Sequence, residues 1–316
     1  MTDTNNINGV LNLNKPEGKT SHDMVYFARR LFGIKKIGHA GTLDPMASGV
    51  LPVLAGNATK LSELLLERGK SYKTVLKLGI STDTMDITGN ITKRAGNAPL
   101  PGFDEVKKAA GSFVGEIEQV PPVYSAVKIN GRKLYEYARN GEQIKAGPRK
   151  VNIYSILCEK SGEPGEYILD IACSKGTYIR SLCHDIGEKL ACGGAMAGLV
   201  RTKSGNFDIS NSYTPETLEA YKKEKGGQYL TSLLVSCEDI LKGFTDKQIY
   251  LSGFYSKLAK NGAEIYLYKI ERETPAVKNF CCGEKIMMYD QNGLLFALGK
   301  IGEYEGGLAC KPEVFV

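Results

Sequence analysis

Several absences bound this chain before any residue is given a role. No apolar run approaches the ~20 residues needed to span a bilayer. The opening from Met1 to Asn6 has neither a basic nor an apolar region, so a soluble, unexported protein of the cytoplasm is expected. No C-x-x-C pair occurs among the 8 cysteines, which read as free thiols in a reducing compartment. The spacing of Cys183, His184 and Cys192 fits none of the usual zinc patterns, and His39-Ala40-Gly41 lacks the glutamate of a zinc deaminase. A G-x-x-x-x-G-K-[ST] phosphate loop and a G-x-G-x-x-G turn are both missing, which leaves little for nucleotide-driven chemistry. No metal and no cofactor is expected.

What is present is ordinary globular material, with 42% apolar and 24% charged residues, which argues against a disordered or fibrous chain. Its 316 residues exceed what one core usually encloses, about 250 to 300, so two domains fit. Residues 236–316 hold 10 basic and 11 acidic side chains, leaving 31 and 24 in residues 1–235. A surface for an anionic partner therefore belongs to the N-terminal part. Apolar spacing predicts a helix from about His22 to Phe32 and strands over residues 51–56, 72–78 and 167–173. The last strand runs through Ser174-Lys175-Gly176-Thr177 into a helix with Ile179, Leu182, Cys183, Ile186 and Leu190 on one face, presenting Tyr178 and Arg180 at the sheet edge. From Phe244 onward, short β-like runs with Gly turns mark a small all-β module. The chain is read as α+β, divided into residues 1–243 and 244–316.

Residues 120–150 form a distinct excursion. Lys128, Arg132, Lys133, Arg139, Lys145, Arg149 and Lys150 are interleaved with Tyr124, Tyr135 and Tyr137. Cations pair with phosphates and tyrosines stack on bases, a mixture suited to looped or single-stranded RNA; a solvated surface loop is the plainer alternative.

The stretch "GHAGTLDPMASG", residues 38–49, puts one acid, Asp44, into a loop of small residues. Pro45 biases Asp44 away from helical geometry, and Gly38, Gly41 and Gly49 let backbone approach a ligand closely. Out of context such an Asp is usually a turn residue. Glycoside hydrolysis calls for two carboxylates, and none accompanies Asp44 in its loop.

Together with Asn14 to Ser21, Lys70-Ser71-Tyr72, Ser81 to Gly89, Lys175 to Leu182 and Arg201 to Gly205, that loop resembles the TruB-type tRNA pseudouridine synthases. The motifs occur in the family's order and span most of residues 10–210. The resemblance implies a pseudouridine synthase fold, a central mixed or antiparallel sheet flanked by helices, followed by a PUA-like RNA-binding domain. It implies isomerisation of a T-loop uridine of tRNA (position 55), flipped from its stack, detached, turned and rejoined through carbon without cofactor or metal. Asp44 would be the catalytic nucleophile or base, and Arg180 its ion-pair partner, keeping it ionised. Tyr72 would stack on the uracil and help to remove the carbon 5 proton, a role for which a phenol is a poor base at neutral pH.

Tyr178 and Leu199 would line the pocket, His39 would fill the vacated stack, and Lys15 and Pro16 would support the site. The excursion with Arg132 and Lys133 resembles the insertion by which members acting without guide RNA grip the T-arm, and the C-terminal module would reach the acceptor stem. A monomer is expected. In this picture a solitary acid suits a rearrangement, because a second one placed to activate water would favour hydrolysis. One departure is Val200, where the family commonly carries arginine after the pocket leucine. The rivals are a non-catalytic RNA-binding protein or tRNA-folding chaperone on the same fold, and a base glycosylase.

Overall fold

The computed structural model describes residues 7–96, 99–125, 127–142, 144 and 146–316. The first six residues, Ala126 and Lys145, all used in the reading above, lie outside the described residues.

Nine strands form the main sheet: β1 Gly9–Lys15, β2 Ile37–His39, β3 Ala47–Ala55, β4 Lys70–Leu78, β5 Gly115–Gln119, β6 Arg149–Lys160, β7 Glu166–Cys173, β8 Gly194–Ser204 and β9 Phe207–Asp208. Their order is β1-β3-β8-β4-β7-β6-β5, with β2 added on β3 and β9 on β8. The β3–β8 pairing is parallel and the others are antiparallel, so the sheet is mixed. The parallel contact sets Leu199 opposite Ala47 and Arg201 opposite Gly49, bringing the strand after the Asp44 loop beside the strand that carries the pocket leucine.

Local sequence explains the elements that matter here. Helix α1, Ser21–Phe32, starts at Thr20, whose side chain accepts from the Asp23 amide while Asp23 caps back. Such a box satisfies backbone donors that a helix start leaves free. Met24, Val25, Ala28 and Leu31 are buried along its inner face; Leu31→Ala would cost about 2–5 kcal/mol. Strand β3 is apolar almost throughout because it separates two cores: Leu51 and Val53 face the core under α1, and Val50 and Leu54 face a second core. In β4, Tyr72, Thr74, Leu76 and Leu78 share the buried face, as period-2 geometry requires. Helix α2, Ile179–Lys189, follows β7 and buries Ile179, Leu182, Cys183 and Ile186.

The C-terminal part builds a five-stranded sheet within residues 248–315 around Ile249, Ile286, Ala297 and Ile301. Its strands are joined by two short helices, Gly253–Lys260 and Leu267–Ile270, an addition to the all-β expectation. Met287, Tyr289 and Leu298 pack with Val10, Val50 and Leu54 of the main sheet. Arg68 donates to the Gly243 carbonyl and stacks on Phe244 at 3.9 Å. The module is therefore docked through apolar burial and not merely tethered. Among the described residues no helix is long and apolar enough to cross a membrane.

Candidate active site

Asp44 sits between β2 and β3 in a loop pinned on both sides of it. The Leu43 amide donates to Ser21 Oγ at 2.8 Å, and Ser21 Oγ donates back to the Leu43 carbonyl at 3.1 Å. Beyond Asp44, the Pro45 carbonyl accepts from the Gly18 amide at 2.8 Å and from Lys15 Nζ at 3.4 Å. Lys15 is wholly buried, and its ammonium also donates to the carbonyls of Pro16 and Lys19. Burial lowers the Lys15 ammonium to about 8, although Asp44 favours its charge. Lys15 thus acts on the backbone that carries Asp44, with Pro16 contributing a carbonyl.

The loop forms one wall of a cavity of about 490 Å³, shared with Tyr72, Tyr178, Arg180, Leu199 and Arg201. That volume lies within the range of small-ligand sites. Arg180, from the first turn of α2, places Nη2 3.0 Å from Asp44 Oδ2 and 2.8 Å from the Tyr124 carbonyl. Its Nη1 lies 3.6 Å from Asp86 Oδ2 and 3.3 Å from the Thr84 carbonyl. The Arg180 side chain is 6% exposed and that of Asp44 38%; the carboxylate looks into the cavity and the guanidinium is sealed behind it. Desolvation pushes the Asp44 carboxyl above its ordinary value, Asp86 adds to the rise, and Arg180 and Lys15 oppose it.

Asp86 corrects the picture of a solitary acid. A second carboxylate folds back from the Ser81 to Gly89 turn onto the same arginine. Its Oδ1 accepts from Thr84 Oγ1 at 2.9 Å and from the Thr88 amide and hydroxyl at 3.0 and 2.5 Å. Buried and fully engaged, Asp86 does not line the cavity and is not placed to activate water there. The turn's abundance of Thr and Asp hinted at a local cap; the link to Arg180 is tertiary.

Tyr72 stands at the end of the buried face of β4, opposite Arg201 of β8. Burial pushes its phenol further above 10, with the Arg201 guanidinium opposing. That direction runs against a base role at neutral pH and leaves Tyr72 a protonated hydroxyl. Tyr178 lines the cavity with its backbone held from both sides by Gln119, whose side chain accepts from its amide at 3.0 Å and donates to its carbonyl at 3.1 Å. Sequence reasoning passed over Gln119, which carries no motif.

The Val200 departure also resolves. Leu199 and Arg201 share the face of β8 that meets the cavity, and Val200 points the other way. The cavity's second guanidinium belongs to Arg201, 1% exposed, whose Nε donates to the Val50 carbonyl at 2.7 Å and Nη2 to the Gly41 carbonyl at 3.0 Å. The loop glycines change meaning with it. A Cβ on Gly49 would fall 2.3 Å from the Arg201 carbonyl oxygen, and one on Gly41 3.3 Å from Arg201 Nη1, both at positive φ. These two glycines admit a neighbouring strand and its arginine rather than a ligand.

The remaining candidates lie outside the cavity lining. His39 ends β2, half-buried, with Nδ1 buried and unpartnered and its charged form disfavoured by burial; the backbone does not satisfy that atom. Arg132 and Lys133 form one side of a small hairpin, with Arg132 paired to Glu142 at 3.1 Å and over the Tyr137 ring at 4.3 Å. Tyr137 is buried and donates to the Ile129 carbonyl, so this tyrosine packs the excursion and is not free to stack on a base, whereas Tyr124 is 41% exposed. Among the described residues, no group of three or more His, Cys, Asp or Glu is placed to hold a metal ion.

Residues 29–179 match the family model TruB family pseudouridylate synthase (N terminal domain), and residues 180–242 match tRNA pseudouridylate synthase B C-terminal domain. A tRNA pseudouridine synthase B of Caldanaerobacter subterraneus is 49% identical over 69% of this chain and 76% of its own length. That of Clostridium perfringens is 40% identical over 94% of this chain and 96% of its own. Among solved structures, a chain of a Cbf5-Nop10-Gar1 complex superposes with a TM-score of 0.70 at 28% identity, covering 97% of this chain and 84% of that one. An archaeal box H/ACA sRNP Nop10-Cbf5 complex gives 0.69 at 25% identity, covering 100% and 88%.

Proposed function

The chain belongs to the TruB family of pseudouridylate synthases, and on that premise we propose that it isomerises the T-loop uridine at position 55 of tRNA, with Asp44 as the catalytic residue. One observation supports the assignment: a carboxylate that faces a cavity of about 490 Å³ is backed by a sealed guanidinium at 3.0 Å. A flipped uridine places its ribose against Asp44 and its base against Tyr72. Asp44 acts on the ribose as nucleophile or base, and the N1–C1′ bond breaks with its electron pair passing to the base. The base turns within the cavity, carbon 5 bonds to C1′ as Asp44 leaves C1′ or returns the ribose proton it took, and the carbon 5 proton passes to solvent while N1 takes one up. Atoms balance without water, oxidant or cofactor.

The excursion at 120–150 is proposed to grip the T-arm of the free tRNA, with Arg132 and Lys133 on its exposed hairpin and no guide RNA. Near-complete overlap with relatives named tRNA pseudouridine synthase B supports this stand-alone reading. The module from residue 244 is proposed to meet the acceptor stem, and the enzyme to act as a monomer in the cytoplasm.

Tritium at carbon 5 of tRNA uridine tests the reaction: its release, with no free uracil formed, is the expected result. Free uracil would mark a glycosylase, and tRNA binding without release would mark a non-catalytic RNA-binding protein or folding chaperone.

A further inference from the structure

Arg201 is the costliest side chain in the cavity wall. It is 1% exposed, burial disfavours its charge, and unlike Arg180 it forms no ion pair among the described residues. Its hydrogen-bond partners are two backbone carbonyls, Val50 and Gly41, and Tyr72 stands opposite it across the β4–β8 pair. A buried cation is ordinarily compensated by a carboxylate. Among the described residues no carboxylate supplies that charge, and the group lines the cavity.

Two of its nitrogens, Nε and Nη2, are taken by those carbonyls. A guanidinium only donates, so what it offers the cavity that Arg201 and Tyr72 line is a positively charged donor for an acceptor or an anion. Resting on the reading of this cavity as a uridine site, we propose that Arg201 offsets the negative charge on the uracil ring while the ring is detached. When the N1–C1′ bond breaks, its electron pair passes into the ring and onto the carbonyl oxygens. Asp44 and Arg180 serve the sugar side, and Arg201 serves the base. A fixed charge aimed at where charge develops needs no reorganisation during the reaction.

The test uses the full chain and two tRNAs, one with uridine and one with 5-fluorouridine at the target, under single turnover. Fluorine withdraws electrons, so the detached fluorouracil ring carries its charge with less help. Arg201→Met is expected to slow glycosidic cleavage of the uridine tRNA by about 10²- to 10³-fold, and of the fluorinated tRNA by roughly tenfold less. Arg201→Lys should show the same inequality to a smaller degree, and it carries the test if melting shows that Arg201→Met does not fold. An Arg201 that merely pins Gly41 and Val50 would slow both substrates by one factor, and that outcome overturns the proposal. If the wild type cleaves neither substrate, the underlying functional reading fails as well; wild-type cleavage with equal losses in the variants overturns this proposal alone.

Discussion

The carboxylate of Asp44 and the guanidinium of Arg180 meet at 3.0 Å, and the other amino group of Arg180 faces the buried carboxylate of Asp86 at 3.6 Å. One cation therefore serves two anions. Burial first, and then the like charge of Asp86, hold the Asp44 carboxyl above its ordinary value of 3.8 against the pull of Arg180.

A pH profile follows from that direction. Asp44 works ionised, so kcat/KM should fall as pH drops through its raised pKa, approaching tenfold per pH unit below it. Asp86→Asn removes the like charge and lowers the Asp44 pKa, moving this acid limb to lower pH. A midpoint that stays in place would show that Asp86 does not act on Asp44 through charge.

Arg180→Lys keeps one positive charge but cannot span Asp44, Asp86 and the carbonyls of Thr84 and Tyr124 together. Single-turnover conversion should fall by about 10²-fold or more, since misplacement by an ångström is worth that much, while the Kd for tRNA changes by less than about threefold. Near-normal turnover would show that the fork geometry is dispensable.

Lys15→Met removes the buried ammonium that ties the Pro45 carbonyl to those of Pro16 and Lys19. The Asp44 loop then loses one of its pins, and kcat should drop about 10- to 100-fold with KM little changed. A rise in KM alone would place Lys15 in binding.

The excursion makes an electrostatic prediction. Replacing both Arg132 and Lys133 with Ala should weaken tRNA binding and flatten the salt slope by about 1 to 2. Arg132 already pairs with Glu142; an unchanged slope would mean that this pair persists and the hairpin is only a solvated surface.

Local patterns carried much of this structure. The helix near residues 22–32, the alternation in β4 and β7 and the apolar face of α2 were legible because each depends on neighbours a few residues away. Asp44, Tyr72, Tyr178 and Arg180 share a cavity as the family resemblance implies. What stayed hidden depends on distant strands. Asp86 meets Arg180 only after the chain folds, and Gly49 is required by an Arg201 carbonyl that the parallel β3–β8 contact brings close. Tyr137 looked free to stack because burial of a short excursion leaves no periodic signal. Val200 looks like a loss in the sequence, whereas alternation along β8 hands the cavity to Leu199 and Arg201.

The central claim rests on Asp44. Wild-type protein and Asp44→Asn should be compared for tritium release from tRNA labelled at carbon 5 of the target uridine, with tRNA binding measured alongside. The account predicts release by the wild type, a fall of at least about 10³-fold in the variant, and equal binding by both. Undiminished release from a folded Asp44→Asn protein would contradict it.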